Sequence, residues 1–338
     1  MNKSKQKRIL ISRPDRVGDV VLSTPIPREL KKTFPNSFVA VLVRSYTKDI
    51  FLNNPFVDEV IIADEFLSGS KKNFLKWVRE IRKFKFTHAL MLLPNERINY
   101  LLFFAGIKTR VGVGHKLFQL ITCVKSVSRN KYIPLRHEAD YCMDLARKIG
   151  VENSDITPKI YLSDEEKEKL AEKRKSLLGE KKYLVGIHST SGNSAPNWTP
   201  DYYADLIKLL TQKNELQIVC TDQKVPEIIF NTPGVKIPEE VLSIREFGIF
   251  DLLVSASTGP MHVCAAMGIK TVSIFCPLTA CSPKLWGPLG NESIVVMPEE
   301  NYCQNKCPGD PKVCTFSGEG GISPEKVYEA VLKLMSES

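Results

Sequence analysis

The chain has no apolar run approaching the roughly 20 residues that span a bilayer, so no membrane-crossing helix is expected in its 338 residues. Its basic start, Met1-Asn2-Lys3-Ser4-Lys5-Gln6-Lys7-Arg8, is followed only by Ile9-Leu10-Ile11 before polar residues return. That is shorter than the apolar core of a secretory signal, and a cytoplasmic protein is expected. In a reducing compartment its nine cysteines are thiols or ligands before they are disulfides. A dinucleotide fingerprint is missing too. Gly112-x-Gly114 has no third glycine at the right spacing and does not lie in the first strand-to-helix turn, which argues against a nicotinamide enzyme. There are no short-period repeats and no low-complexity tracts. No aromatic–basic motif accompanies the positive charge, so nucleic acid is not an expected partner.

What is present is an ordinary globular composition, 43% hydrophobic and 25% charged, at a length that suits two domains. The net charge of +9 is uneven. Residues 1–160 hold 29 Lys and Arg against 15 Asp and Glu; residues 161–338 hold 18 against 23. A basic first half suits an anionic membrane surface or a phosphorylated acceptor. Within it, residues 115–137 carry Lys116, Lys125, Arg129, Lys131 and Arg136.

Apolar runs alternate with helical spacing along the whole chain. Strands are expected at 8–12, 38–43, 59–62, 89–93 and 110–114, with one helix from about Asp19 through Pro25 to Leu30 and others over 74–84, 97–105 and 138–149. A charged helix over 163–178 follows a domain junction near 158–162. A second cycle then begins, with strands at 182–188, 216–220, 250–254 and 270–276 and helices at 199–212, 259–268 and 323–335. The alternation predicts an α/β fold: two Rossmann-like domains with parallel sheets, facing across a cleft.

Ligands of such sheets bind beyond the carboxyl ends of the strands, and three ends stand out. The first carries Arg13, Arg16, Gly18 and Asp19. Asp19 is either a helix N-cap or a general base. The second is the polar run of Ser189, Thr190, Ser191, Gly192, Asn193 and Ser194. The third is Ser257-Thr258-Gly259-Pro260-Met261-His262. There Gly259 permits a sharp turn, Pro260 suits the first helical position, and the N–H groups of Gly259, Met261 and His262 are expected to point at an anion. The plainer alternative is an ordinary strand–helix turn, with His262 a packed core residue. Asp222, at a strand end, suits ribose hydroxyls or a turn cap. Cys303-x3-Cys307-x6-Cys314 lacks an obvious fourth ligand, so surface thiols are expected before a metal.

Four places give the chain a family likeness: Arg13-x4-Gly18-Asp19-Val20 with Thr24-Pro25; Gly186-Ile187-His188 with Asn197-Trp198-x-Pro200; the Thr258-Gly259-Pro260-Met261-His262 turn; and Cys276-Pro277 with Trp286-Gly287-Pro288. Together they resemble the lipopolysaccharide heptosyltransferases, glycosyltransferase family 9. The resemblance implies a GT-B fold and an inverting transfer without metal or cofactor, from an ADP-heptose-like donor to the lipopolysaccharide core, with peripheral contact at the inner face of the inner membrane. It implies an acceptor-binding domain over 1–160, with Arg13, Arg16 and Gly18 on the acceptor and Asp19 as base. It implies a nucleotide-sugar domain over 161–322, with Thr258, Gly259, Pro260, Met261, His262, Ser189, Thr190 and Asp222 on the donor. The last segment, 323–338, is expected as a helix packing back on the N-terminal domain. Two positions depart from the family pattern. Pro196 stands where a lysine often meets the diphosphate, with Arg13 or Arg16 the candidate replacements, and Ser257 stands where an aspartate often precedes the turn. The alternative these departures suggest is a non-catalytic nucleotide-sugar or saccharide binder of the same fold.

Overall fold

The computed structural model describes residues 6–69, 73–152, 154–192, 195–306, 310 and 313–336. The chain divides into two compact units, Met1–Tyr161 and Leu162–Ser338.

In the first unit, β1 (Arg8–Ser12), β2 (Phe38–Val43), β3 (Glu59–Ile62), β4 (His88–Met91), β5 (Thr109–Val113) and β6 (Lys125–Val127) form one sheet in the order β3-β2-β1-β4-β5-β6. Every pairing is parallel. The helices are α1 (Val17–Val21), α2 (Pro25–Thr33), α3 (Asp64–Leu67), α4 (Phe74–Lys83), α5 (Glu96–Phe104), α6 (Leu117–Ile121) and α7 (Glu138–Arg147). The inner strands are almost wholly apolar because helices cover both faces of a parallel sheet. Leu10, Ala40, Leu42, Ala89 and Met91 pack with Phe66, Ile81 and Leu101 in one of its cores.

The second unit repeats the topology. Its strands are β7 (Tyr183–His188), β8 (Leu216–Cys220), β9 (Val235–Lys236), β10 (Leu252–Ala256), β11 (Lys270–Ile274) and β12 (Ser293–Val296), in the order β12-β11-β10-β7-β8-β9, again all parallel. Its helices are α8 (Asp164–Leu178), α9 (Pro200–Thr211), α10 (Glu227–Phe230), α11 (Gly259–Ala266), α12 (Pro283–Trp286), α13 (Tyr302–Asn305) and α14 (Pro324–Ser336). In each unit the chain runs outward over three strands and returns to start beside the first. This is the Rossmann order, with its switch point at β1/β4 in one sheet and β7/β10 in the other.

Two features differ from expectation. The helix drawn from Asp19 to Leu30 is two helices. Pro25 and Pro27 lack the N–H groups that would continue the first, and Ser23 and Thr24 turn their hydroxyls back on the carbonyls of Val20 and Val21. The last helix, α14, packs within its own unit. Val327, Val331, Leu334 and Met335 of α14 lie in the second unit's own core, which also holds Leu206, Ile207 and Leu210 of α9. The edge strands β6, β9 and β12 are additional to the expected set, being two to four residues long and only partly apolar, too short for a clear strand signal.

Candidate active site

Both switch points are occupied by the polar loops. After β1, Arg13 turns inward and is 3% exposed. Its guanidinium donates to the Leu92 carbonyl (3.0 Å), to Asp19 Oδ1 (2.6 Å) and to Glu138 Oε1 (3.3 Å). Glu138, 1% exposed at the start of α7, also takes both ends of the Arg129 guanidinium. A chain of alternating charges therefore runs Asp19–Arg13–Glu138–Arg129. Neither Glu138 nor its pairing was visible in the sequence, since it lies more than a hundred residues from Arg13.

Asp19 is not the helix cap. Arg16 occupies that position, and Asp19 sits in the first turn of α1 with its carboxylate pointing at Arg13. Its Oδ2 accepts no hydrogen bond from the described residues. Burial pushes the carboxyl up to about 6; Arg13 pulls it down, and Asp15 and Glu138 push it further up. The result is an aspartate with one oxygen clamped, one open, and a basicity well above that of a solvated carboxylate. Four N–H donations of the Arg13 guanidinium are spent inside the unit, on the Asp19 carbonyl and carboxylate, the Leu92 carbonyl and Glu138. Arg16 is exposed.

In the second unit, Asp222 just beyond β8 does the opposite. Its Oδ2 accepts from Ser189 N (3.0 Å) and Ser189 Oγ (2.7 Å), and its Oδ1 from Thr190 N (3.0 Å) and Thr190 Oγ1 (2.7 Å). Burial alone would raise this carboxyl, but His188 and the donors of Ser189 and Thr190 outweigh it and hold it below the usual range. These contacts are those of a turn cap. They pin the loop after β7 to the end of β8. Asn197 adds a second pin, donating to the Ser189 carbonyl (2.6 Å) while its Oδ1 accepts from Tyr203 (2.7 Å). Trp198 is buried and donates to the Ile322 carbonyl (2.8 Å). Pro196 is buried beside them, with no charge to offer. Asn193 and Ser194 lie outside the described residues.

After β10, Thr258 is the N-cap of α11 in extended conformation, and its side chain caps nothing. Thr258 Oγ1 is buried with no hydrogen-bond partner among the described residues. A hydroxyl in that state costs free energy unless something comes to meet it. The His262 N–H is not an open donor, because it returns to the Thr258 carbonyl at 3.4 Å. That leaves Gly259 and Met261 as the first-turn donors at the positive end of the helix. Ser257 is half-buried and Pro260 is the first-turn proline. At the far end Gly268 leaves the helix at φ +79°, as a helix exit requires. Of the cysteine loop, Cys314 is in the core and Cys303 packs against it; Cys307 lies outside the described residues.

Residues 74–230 and 247–312, more than half of the chain, match the sequence profile of glycosyltransferase family 9 (heptosyltransferase). The lipooligosaccharide heptosyltransferase 2 of Haemophilus influenzae is 24% identical, with 97% of this chain and 99% of that protein covered. A solved glycosyl transferase family 9 structure from Veillonella parvula overlays with a TM-score of 0.79 at 22% identity, over 98% of both chains. Escherichia coli ADP-heptose LPS heptosyltransferase II overlays with a TM-score of 0.74 at 20% identity, over 98% of this chain and 100% of that one. The fold is thus the two-domain α/β GT-B architecture. The chain belongs to glycosyltransferase family 9, the heptosyltransferases, and is a glycosyltransferase.

Proposed function

We propose that the protein moves a heptose from an ADP-heptose donor to a hydroxyl of a lipopolysaccharide core acceptor, by an inverting displacement that uses no metal. The observation that carries this reading is Asp19: an aspartate clamped through one oxygen by a buried arginine, open at the other, and raised to about 6. A general base works best when its pKa lies near the operating pH. The acceptor binds on the first unit, with the exposed Arg16 and the backbone at Gly18 beside it. Asp19 Oδ2 takes the proton of the acceptor hydroxyl as that oxygen attacks the anomeric carbon. The bond from that carbon to the donor diphosphate breaks on the opposite face, and the configuration inverts.

Negative charge builds on the leaving diphosphate. The N-terminus of α11 supplies its counterpart, through the Gly259 and Met261 N–H groups and the helix dipole, with the Thr258 hydroxyl donating to a phosphate oxygen. Ser189 and Thr190 contribute as a loop held in place by Asp222. In this reading Asp222 positions the donor loop and does not itself meet the ribose. The similarity to an ADP-heptose LPS heptosyltransferase supports the choice of donor, and the similarity to a lipooligosaccharide heptosyltransferase supports the choice of acceptor. The test is transfer of heptose from ADP-heptose to core oligosaccharide by wild type and Asp19→Asn, in the presence of a chelator. Transfer by wild type alone is expected. Binding of the donor with no transfer to any core acceptor would favour a non-catalytic binder instead.

A further inference from the structure

Helix α6 is built inside out. Its one polar residue, Gln119, is 2% exposed, while Leu117, Leu120 and Ile121 are 72%, 76% and 62% exposed. The inward face is fixed by polar contacts. Gln119 Nε2 donates to the Val113 carbonyl (3.0 Å), and its Oε1 accepts from the Lys116 N–H (2.9 Å). Asn99 donates to Thr122 Oγ1 (2.8 Å) and to the Phe118 carbonyl (3.2 Å), and Arg110 closes on the Thr122 carbonyl. The helix cannot roll its aliphatic side chains inward without breaking this network. Three adjacent large apolar side chains are therefore held in water by design of the fold, and an exposed apolar cluster of that kind marks a contact surface.

The charge around it identifies the partner. Residues 97–137 contain eight Lys and Arg and no Asp or Glu. Arg129 is committed to Glu138, and Arg136 to Asp140 and Asp144. Lys108, Lys116 and Lys125 are exposed and form no ion pair among the described residues. An exposed apolar ridge in a stretch of chain whose only charged residues are cations fits a surface that is anionic outside and apolar beneath. A second copy of the same patch would meet like charge. The position is also suited: α6 follows β5 at the carboxyl edge of the first sheet, the edge on which Asp19 follows β1, with β4 alone between the two strands.

We propose that α6 with Lys116 and Lys125 docks the protein on an anionic lipid bilayer, Leu117, Leu120 and Ile121 entering the acyl boundary and the lysines meeting the lipid phosphates. The benefit of this contact, though not its chemistry, rests on the reading of a lipid-borne acceptor: it brings that acceptor to the sheet edge that holds the base. A five-residue helix gives a reversible contact that needs both the apolar and the cationic signal.

The test is co-sedimentation of the full-length protein with vesicles of phosphatidylethanolamine and phosphatidylglycerol, compared with vesicles of phosphatidylcholine alone. Wild type is expected to bind the anionic vesicles, to release as salt rises, and to bind the neutral ones weakly. The Leu117→Ser, Leu120→Ser, Ile121→Ser triple variant and the Lys116→Glu, Lys125→Glu double variant are each expected to bind about tenfold more weakly or worse. Their transfer to a soluble, delipidated acceptor is expected to match wild type, which also shows that they are folded. Unchanged vesicle binding by either variant overturns the proposal. So does equal binding of wild type to both lipids, or a wild-type dimer in sedimentation equilibrium that the triple variant dissolves. Failure of wild type to transfer any sugar would overturn the proposed function and leave the vesicle result standing on its own.

Discussion

Asp19 and Asp222 each lie just past the carboxyl end of a parallel strand, each largely out of water, and they end up with opposite properties. Asp222 accepts four hydrogen bonds from two residues of one loop, and its carboxyl is held low. Asp19 has a single strong partner, Arg13, which is itself shared with Glu138, and its carboxyl rises to about 6. The difference teaches that burial by itself assigns no role. Where donors saturate the oxygens, the charged form is locked in and the group holds structure. Where they do not, the desolvated carboxylate keeps an open lone pair and a raised affinity for a proton, which is what base chemistry requires.

The contrast breaks most visibly by neutralising the open member. Asp19→Asn is expected to lower kcat by roughly 10²–10⁴-fold, with donor affinity and the unfolding transition close to wild type. Steady-state kinetics and donor titration check this. Asp222→Ala should fail in the other direction. Four donors of Ser189 and Thr190 lose their acceptor, and a stability loss of about 2–4 kcal/mol is expected in urea unfolding, while the folded fraction keeps most of its turnover per bound donor. If Asp222→Ala were fully stable and inactive, the division of labour would be reversed.

Two smaller changes sharpen the picture. Arg13→Gln removes the group that holds the Asp19 carboxyl down, so the acid limb of the rate profile should move to higher pH from its starting point near 6. Thr258→Val keeps shape and deletes only the buried, unpartnered hydroxyl. It is expected to leave stability within about 1 kcal/mol of wild type, since no native bond is lost, and to raise the donor KM about tenfold if that hydroxyl meets a phosphate.

Much of the fold was legible because its signals are local. The apolar runs of β1, β2, β7 and β8 sit where continuous burial demands them, and Thr199-Pro200 and Gly268 mark the start of one helix and the end of another. The contacts that give the site residues their character were not legible. Arg13 meets Glu138 across 125 positions, and Asp222 meets Ser189 across 33. An ion pair between distant residues leaves no periodicity in either segment. The same limit hid α6, a five-residue helix in a stretch legible only as basic, with Gln119 as its buried residue. The α11 turn was legible in outline, but the His262 N–H, expected at the anion site, is turned back on Thr258.

The titration of Asp19 is the most direct readout of its role as the base. Because its folded pKa lies above the ordinary aspartate value, the proton is gained early as pH falls, and the base is lost at a pH where a solvated aspartate would still be ionised. Measured from about pH 3.5 to 9, the kcat/KM of the wild-type protein for heptose transfer is predicted to fall on the acid side with a single ionisation near 6. A flat profile down to pH 5, with loss only near 4, would contradict it.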